Sequence, residues 1–472
     1  MLLGVKLTPR RWLNILSIIV LVSQFSFAGT TGKLAGRVTA KESGEPLIGA
    51  NVMIEGTVLG AATNLDGNFY ILQIPPGTYS IRFSMIGYQS LVINDVRMMV
   101  DLTTTANGAL SESAVGLEEV VVQAERAMIQ TDVTYSQANI SSEEVDMLPV
   151  EEFEDVLALQ AGVVMTGGEI HVRGGRGGEI SYMIDGISVT DPYNSGVAVE
   201  IENNAIQELQ FISGTFNAEY GQAMSGIVNI VTKDGDYSDY SGNFSLNQGG
   251  YNSGNTDIFP GIDRSDFNNI ADIKGNVEGP IIPGKLSFFA SGRFKRENGY
   301  LYGEKIFKPN SYAWSDELNY FHIDPLVGLG NDSVPEDDLW LPINYQDSLR
   351  TFIESLRKKD EFDWVPMNWS EQFTWQGKLS WRLNPYIKIS FNRMYSDTKS
   401  QDYSHEYRWN PDGRSNSFNT RIGDLIRADW SISQSTFANV MYSRAENHYR
   451  SHLSSDPEFY KNIHDFLLAP DN

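Results

Sequence analysis

Few residue types that do covalent chemistry stand here in arrangements able to do it. The chain has no cysteine, which removes thiolate nucleophiles, thiolate metal sites and disulfides. Its six histidines are at 171, 322, 405, 448, 452 and 464. Only His448 and His452 have metal-like spacing, i and i+4, which on a helix would put two imidazoles on one face. They follow an alternating, strand-like run and are expected in a polar loop, with no H-E-x-x-H pattern around them. No G-x-S-x-G element occurs. Without an assembled nucleophile, base or metal cluster, an enzyme is not expected, and no cofactor is implied.

Two glycine-rich stretches imitate binding motifs. Arg173, Gly174, Gly175, Arg176, Gly177 and Gly178 spell one copy of an RGG tract, an RNA-binding element when repeated. Gly279 to Lys285 has the G-x-x-x-x-G-K spacing of a phosphate loop, but Leu286 replaces the Ser or Thr that would hold magnesium. Pro280 and Pro283 also remove amides the cradle needs, so a hairpin turn is expected. The 60 acidic and 36 basic side chains give a net charge of -24. That balance repels phosphate backbones, so nucleic acid is not an expected partner.

The elements that must carry any site are strands. Aromatics make up 11% of the 472 residues and there are 42 glycines, a balance that suits strands and turns better than helix bundles. Residues 1–28 hold a basic start (Lys6, Arg10, Arg11), an apolar run from Trp12 to Val22, and Ser26-Phe27-Ala28, so a signal peptide cleaved between Ala28 and Gly29 is expected. The apolar run of about 11 residues is half of the roughly 20 a membrane-spanning helix needs. No later run is of helix length, so a membrane-embedded mature chain must be a barrel.

Residues 29–105 read as a small β-sandwich. Tyr79, Ile81, Phe83 and Met85 alternate with Ser80, Arg82 and Ser84, and turns are marked at Ser43-Gly44, Asp66-Gly67 and Pro75-Pro76-Gly77. The runs GKLAGRVTAKESGEPLIGANVMIEGT and TNLDGNFYILQIPPGTYSIRFSMIGY resemble the carboxypeptidase regulatory-like domain that precedes many bacterial outer-membrane receptors. Peptidase chemistry does not follow, because the segment has no histidine. Residues 106–124 read as a linker, with Thr, Ser, Ala and Gly concentrated from Thr103 to Gly116. Its end, Leu117, Glu118, Glu119, Val120, Val121, Val122, Gln123 and Ala124, is an extended β-branched run able to add to a partner's sheet edge. It resembles a TonB box.

Residues 125–235 contain three blocks whose order and spacing resemble the plug of TonB-dependent receptors: VEEFEDVLALQAGVV at 150–164, IHVRGGRGGEISYMIDGISVTDP at 170–192, and IQELQFISGTFNAEYGQAMSGIVNIVTKDG at 206–235. In the first, Phe153, Val156, Leu157 and Gln160 have helical spacing, and Glu151, Glu152, Glu154 and Asp155 are expected to form a solvated face. In the second, Asp185-Gly186 is a hairpin turn after Tyr182, Met183 and Ile184. In the third, Ile227, Val228, Ile230 and Val231 make a buried strand. The resemblance marks Arg173, Gly174, Gly175, Arg176, Asp185, Gly186, Glu219, Tyr220 and Gly221 as plug motif residues, and implies that Arg173 and Arg176 pair with acids on a barrel wall.

From 236 to 472 segments of about ten residues alternate apolar with polar between short turns and long loops, the pattern of a transmembrane barrel. Trp375, Gly377, Leu379 and Trp381 alternate with Gln376, Lys378 and Ser380; Ile387, Ile389 and Phe391 alternate with Lys388, Ser390 and Asn392. Asn384-Pro385 joins these two segments, GPIIPG joins strands at 270–279 and 286–296, and 298–370 is a long acidic, aromatic excursion. About seven strands are expected, the last near 436–446, where barrels of this class close with about 22. The sheet is therefore expected to be part of a longer receptor.

The fold class is thus mainly β: an N-terminal sandwich, a small α/β plug and an incomplete antiparallel transmembrane barrel. By resemblance, the implied partners are a TonB-type inner-membrane energy-transducing protein, the outer membrane, a transported small ligand (siderophore, cobalamin, glycan or peptide), and a surface lipoprotein as in glycan-uptake systems. The sandwich would lie in the periplasm. The rival expectation is a secreted or surface-associated β-sandwich adhesion protein, which does not account for the three plug blocks.

Overall fold

The structure, a computed structural model, describes residues 29–112, 120–123, 136–306 and 362–453, apart from residues 151, 194, 215, 217–222, 256, 263–266 and 434–435, together with a few short stretches between 312 and 358. Ala28, Leu117, Glu118, Glu119, Ala124, Glu151, Glu219, Tyr220, Gly221 and His464 lie outside the described residues.

The N-terminal strands are β1 (Gly32–Ala40), β2 (Asn51–Ile54), β3 (Gly60–Ala62), β4 (Asn68–Ile74), β5 (Gly77–Ser84), β6 (Leu91–Met98), β7 (Thr103–Thr105), β8 (Gly108–Leu110) and β9 (Val120–Gln123). They form two sheets, β4-β1-β7 with β8 also on β1, and β3-β2-β5-β6-β9. Alternating residues of both sheets fill the core: Leu34, Val38, Phe69 and Ile71 from one meet Val52, Ile54, Ile81 and Phe83 from the other. Phe69 and Phe83 pack edge to face with centroids 5.8 Å apart, the arrangement favoured by the ring quadrupoles.

The stretch after Leu102 differs from the linker its composition suggests. β7 and β8 each pair parallel with β1. Close backbone approach replaces side-chain propensity there: a Cβ on Gly36 would fall 1.9 Å from the Ala106 carbonyl oxygen, so the glycine lets this segment lie against β1. The Val120–Gln123 part of the TonB-box-like run is β9, paired parallel with β6 at the edge of its own sandwich.

The plug comprises β10 (Ser136–Ser141), α1 (Ser142–Met147), α2 (Phe153–Ala158), β11 (Val163–Thr166), β12 (Glu169–Val172), β13 (Ile180–Ile184), β14 (Ile187–Ser188), β15 (Ile206–Ser213) and β16 (Gly226–Thr232). Its main sheet runs β10-β15-β16-β13-β14. Every residue of β16 is buried. α1 starts in a capping box, where Glu144 N–H donates to Ser141 Oγ at 3.3 Å and Ser141 N–H to Glu144 Oε2 at 2.9 Å. α2 buries Phe153, Val156 and Leu157.

The third unit is one antiparallel sheet of seven long strands: β17 (Ser241–Gly249), β18 (Ile270–Ile282), β19 (Leu286–Asn298), β25 (Trp369–Asn384), β26 (Ile387–Gln401), β27 (Asn416–Ser433) and β28 (Thr436–His452), in that order. Short strands β20 (Tyr302–Glu304), β21 (Tyr312–Ser315), β22 (Tyr320–Ile323), β23 (Trp340–Pro342) and β24 (Trp364–Pro366) lie in the long excursion between β19 and β25. Tight connections at one end join β18 to β19, β25 to β26, and β27 to β28, and long ones stand at the other. Among the described residues β17 and β28 are the sheet's two edges.

Exposure along β25 is inverted relative to a soluble sheet. Phe373, Trp375, Leu379 and Trp381 are 47%, 37%, 44% and 49% exposed, while Thr374, Gln376, Lys378 and Ser380 are at 2%, 4%, 4% and 0%. Apolar side chains face outward and polar ones face the plug, the arrangement of a wall standing in lipid. Where the inward face must meet the plug core it turns apolar, through Phe289, Met394 and Leu425. β28 runs to His452, past the end near 446 that alternation suggested. His448 and His452 thus lie on an extended strand rather than in a loop, about 13 Å apart at the usual rise, and His452 stacks on Phe418 with centroids 4.5 Å apart. Among the described residues no cluster of three His, Cys, Asp or Glu able to hold a metal occurs.

Candidate functional site: the plug and its wall

The Asp185-Gly186 turn between β13 and β14 joins plug and wall through buried hydrogen bonds and ion pairs. Both residues have positive φ, 50° and 81°, which suits a two-residue hairpin. Asp185 Oδ1 accepts the Thr232 amide at 2.9 Å and Oδ2 accepts the Thr232 hydroxyl at 2.7 Å, so the turn is fixed to the end of β16. Lys378, on the inner face of β25, donates to Asp185 Oδ2 at 3.2 Å, Thr232 Oγ1 at 2.8 Å and the Thr232 carbonyl at 3.1 Å. Its ammonium also lies 2.9 Å from Asp234 Oδ1.

Asp234 is shared, since Lys388 of β26 pairs with its other oxygen and Ser380 Oγ donates to it at 3.1 Å. Burial alone would raise the Asp234 carboxyl, but the ammoniums of Lys378 and Lys388 outweigh it and hold the group far below the usual carboxylate range. Arg427 of β27 donates from Nη1 to the Asp185 carbonyl at 3.1 Å. The cluster thus joins the end of the plug to three successive wall strands.

A second cluster lies nearer the long-loop end. Arg293 of β19 forks onto Asp272 of β18, with Nε to Oδ1 at 2.7 Å and Nη2 to Oδ2 at 2.9 Å, and extends Nη1 to Glu202 of the plug at 3.2 Å. The other Glu202 oxygen accepts the Thr374 hydroxyl at 2.5 Å. Burial raises Glu202, and Arg293 and the Thr374 bond partly offset that. Arg421 reaches Glu200 at 2.7 Å, Asn447 reaches Asp191 at 2.9 Å, and Lys295 lies 3.6 Å from Glu152.

The polarity is the reverse of the expectation for Arg173 and Arg176, because here the plug supplies acids and the wall supplies bases. Arg173, at φ 50°, donates its amide to the Gly162 carbonyl at 2.8 Å and Nε to Ser213 at 3.1 Å, all within the plug. Arg176 gives its amide to Glu179 Oε2 at 3.1 Å, while Glu179's carbonyl accepts the amides of Met224 and Ser225 at 3.0 and 3.1 Å. Gly174 has φ 78°, and a Cβ on Gly175 would come within 2.5 Å of Ser225 Cβ. The glycine-rich tract therefore ties β12 to β16 by close approach. Gly279 to Lys285 is likewise the end of β18 and its turn, with Lys285 N–H donating to the Ile282 carbonyl at 2.9 Å.

The acids at the start of α2 do not form one solvated face. Glu154 sits beside Tyr182 and Glu200; burial, with the charges of Glu200, Glu152 and Asp155, pushes it up to about 8, against its own backbone hydrogen bond, and Tyr182 is pushed up to about 12 by burial and Glu154.

The sandwich docks on the short-turn end of the plug. Val100 N–H donates to the buried Glu208 at 2.9 Å, and Asn139 Nδ2 donates to the same oxygen at 2.5 Å. Burial pushes Glu208 up to about 7 in spite of these bonds. Arg97 pairs with Glu144 at 2.9 Å and donates to the Asn139 carbonyl at 3.3 Å. Gly29, on the mature side of the expected cleavage point, accepts from Asn229 Nδ2 at 3.0 Å. Gln73 bonds Ser431 of the wall. A cavity of about 500 Å3 remains between the three units, lined by Tyr79, Asp234, Tyr237, Lys378, Arg382 and Lys388 among others.

A sandwich docked beneath a plug that is ion-paired inside a lipid-facing wall defines the class of plugged outer-membrane barrels. Comparison with known families agrees: the CarboxypepD_reg-like domain matches residues 34–122, and the TonB-dependent Receptor Plug Domain matches 129–228. Residues 129–228 are thus a plug domain of the TonB-dependent receptor kind, preceded by a CarboxypepD_reg-like domain.

It is 25% identical over 257 residues to the TonB-dependent transporter Oar of Myxococcus xanthus, a match spanning 51% of this chain and 24% of that protein. It is 32% identical over 219 residues to TonB-dependent receptor P39 of Formosa agariphila (43% of this chain, 20% of that one). It is 31% identical over 211 residues to TonB-dependent receptor SusC of Bacteroides thetaiotaomicron (41% and 20%). The matches thus span only about a fifth to a quarter of these relatives' lengths. Among solved structures, the outer membrane transporter YddB of Escherichia coli aligns with a TM-score of 0.44 at 11% identity, covering 66% of this chain and 39% of that one.

Proposed function

We propose that this chain is the plug-bearing part of an outer-membrane receptor that takes up a ligand with energy supplied by a TonB-type inner-membrane protein. The observation that carries the reading is the inverted wall: apolar outside, polar inside, enclosing a plug held by exchangeable ion pairs. Buried pairs with several hydrogen bonds hold a fixed position, yet admitted water can replace them, which an apolar seam would not allow. The plug can therefore be both secure and removable. The short turns and the sandwich face the periplasm, and the long loops face outward. An adhesion protein would have no use for a lipid-facing wall around a charged plug.

The ligand end is the long-loop rim. A pocket of about 320 Å3 is lined there by Phe259, Tyr300, Tyr302, Trp364, His405 and Trp409 among others. Phe259 and Tyr300 meet edge to face at 6.0 Å, and the Arg408 guanidinium stacks 3.8 Å from the Trp409 centroid. Aromatic faces rimmed by hydroxyl, imidazole and guanidinium groups suit a ligand with apolar faces and many hydroxyls. Among the ligand classes considered, a glycan fits best.

The test is uptake of fluorescently labelled oligosaccharides by cells carrying the native full-length receptor, with and without the energy-transducing partner. Uptake that needs both supports the reading. Uptake unaffected by loss of the receptor, or equal without the partner, contradicts it.

A further inference from the structure

The outer face of one sandwich sheet carries charge of the sign that is scarce in this chain. There are 60 acidic and 36 basic side chains in all, yet the side of β1 turned away from the core presents Lys33, Ala35, Arg37 and Thr39, alternating with the buried Leu34 and Val38. Lys41 continues the alternation one residue past the strand, its amide held by the Leu110 carbonyl at 2.9 Å. Three bases thus stand in line, each about 13 Å from the next at the usual strand rise. No acid lies between them in sequence.

None of the three is neutralised. The other sandwich arginines are, Arg82 by Glu55 and Arg97 by Glu144 of the plug. Among the described residues Lys33, Arg37 and Lys41 make no ion pair. Arg37 donates Nε to the Asp66 carbonyl at 3.0 Å, and Lys33 lies 5.5 Å from the centre of the Tyr70 ring. The charges of Glu42 and Glu45, in the turn after β1, act on Tyr88 beyond the end of β5.

Beside the stripe lies an open aromatic ring. Tyr70 of β4 is directly opposite Ala35, which has Thr105 of β7 on its other side, and it is 42% exposed. The short alanine side chain leaves the ring standing clear of the sheet. Asn68, opposite Arg37, adds an exposed amide. Such a face suits sugar rings that carry carboxylates: the aromatic ring packs on C–H faces, and the ammonium and guanidinium groups pair with the acids.

The direction of the stripe selects among anionic surfaces. At the Gly32 end of β1, Thr30 and Thr31 line the cavity beneath the plug and Gly29 bonds Asn229. The Ala40 end is the far end of the sandwich. The stripe therefore leads away from the barrel, and a leaflet of headgroups around the barrel would meet only Lys33. An extended polymer meets all three bases.

We propose that the outer face of β4-β1-β7 docks the cell-wall glycan, a polymer of sugar rings bearing carboxylate-ended peptides, with Tyr70 against the sugars and Lys33, Arg37 and Lys41 on the carboxylates. The proposal rests on the receptor reading for one point, that the sandwich lies in the periplasm, where this polymer is.

The experiment sediments detergent-solubilised full-length receptor with purified, protein-free cell-wall sacculi and measures the bound fraction. The unaltered receptor is expected to co-sediment, and less so as salt is raised, because the charges are exposed. Arg37→Glu combined with Lys41→Glu, both at exposed positions, is expected to weaken binding about tenfold, and Tyr70→Ala about threefold. Protease resistance of the sandwich checks that each variant is folded. No co-sedimentation, binding indifferent to salt, or equal binding by the folded charge-reversed variant overturns the proposal. Binding to phosphatidylglycerol vesicles as tight as to sacculi overturns it in favour of a membrane surface. Uptake of labelled oligosaccharide by the same strains tests the receptor reading separately. Energised uptake without sacculus binding sinks the docking alone, and sacculus binding without energised uptake sinks the receptor reading alone.

Discussion

The sandwich and the wall use the same two-residue repeat to opposite ends. In β2 the buried members are Val52 and Ile54, with Asn51 and Met53 exposed. In β25 the buried members are Thr374, Gln376, Lys378 and Ser380, and the exposed ones between 373 and 381 are Phe373, Trp375, Leu379 and Trp381. Period alone fixes which residues share a face; what lies against each face decides which chemistry is turned inward. The sandwich excludes water around hydrocarbon, whereas the wall turns its polar side chains onto a charged plug.

The comparison can be broken most severely at its buried charges. Lys378→Met leaves Asp185 and Asp234 facing each other with one cation fewer, and loss of one partner of a buried ion pair costs about 3–5 kcal/mol. The expected outcome is plug detachment at far lower denaturant, read by limited proteolysis of vesicles, with the sandwich core unaffected. Phe83→Ala is the converse: truncating a fully buried ring costs roughly 3–4 kcal/mol and should unfold the sandwich while the plug stays protected.

Leu379→Arg on the outer face, next to Lys378 in sequence, should cost about 2–4 kcal/mol if the position is at mid-membrane, seen as reduced yield of folded protein in vesicles. The same residue type is already accommodated on the inner face at Arg293 and Arg427.

Smaller effects test the seam between sandwich and plug. Glu208 is raised from 4.5 to about 7 by burial, so the docked arrangement prefers its neutral form. That preference stabilises docking fully below about 4.5 and is lost as pH rises through about 7. Hydrogen-exchange protection factors at residues 97–102, taken relative to the intrinsic exchange rate at each pH, should therefore be higher at pH 5 than at pH 8, and Glu208→Gln should flatten the difference. Smallest of all, Arg176→Ala should leave plug protection unchanged, because its structural bond comes from the backbone amide.

Much of this architecture is legible in the sequence because it depends on local patterns. Tyr79 to Met85 announces β5, Asp185-Gly186 its hairpin, Phe153 to Leu157 the buried side of α2, and the alternation from 375 to 381 the wall. What the sequence hid depends on distant partners. Lys378 meets Asp185 across 193 positions, and nothing near either residue reports the other. The only signal was a lysine on the polar side of a strand otherwise rich in tryptophan.

The pairing of Arg173 and Arg176 with wall acids was implied by resemblance alone, whereas the glycines around them let β12 and the start of β16 approach. Thr103 to Leu110 read as a linker because β7 and β8 take their order from backbone pairing with β1 rather than from their side chains. Val120 to Gln123 was visible as a strand; its parallel pairing with β6 was not.

The central claim is that the wall faces lipid outside and a charged plug inside, and single cysteines test it directly in a chain that has none. Each position from 373 to 381 is changed to cysteine in the full-length receptor and labelled with an environment-sensitive fluorophore in vesicles. The expected result is quenching by a lipid-phase quencher at Phe373, Trp375, Gly377, Leu379 and Trp381, with little at Thr374, Gln376, Lys378 and Ser380. Uniform quenching along the strand, or none from the lipid phase at any position, would contradict the account.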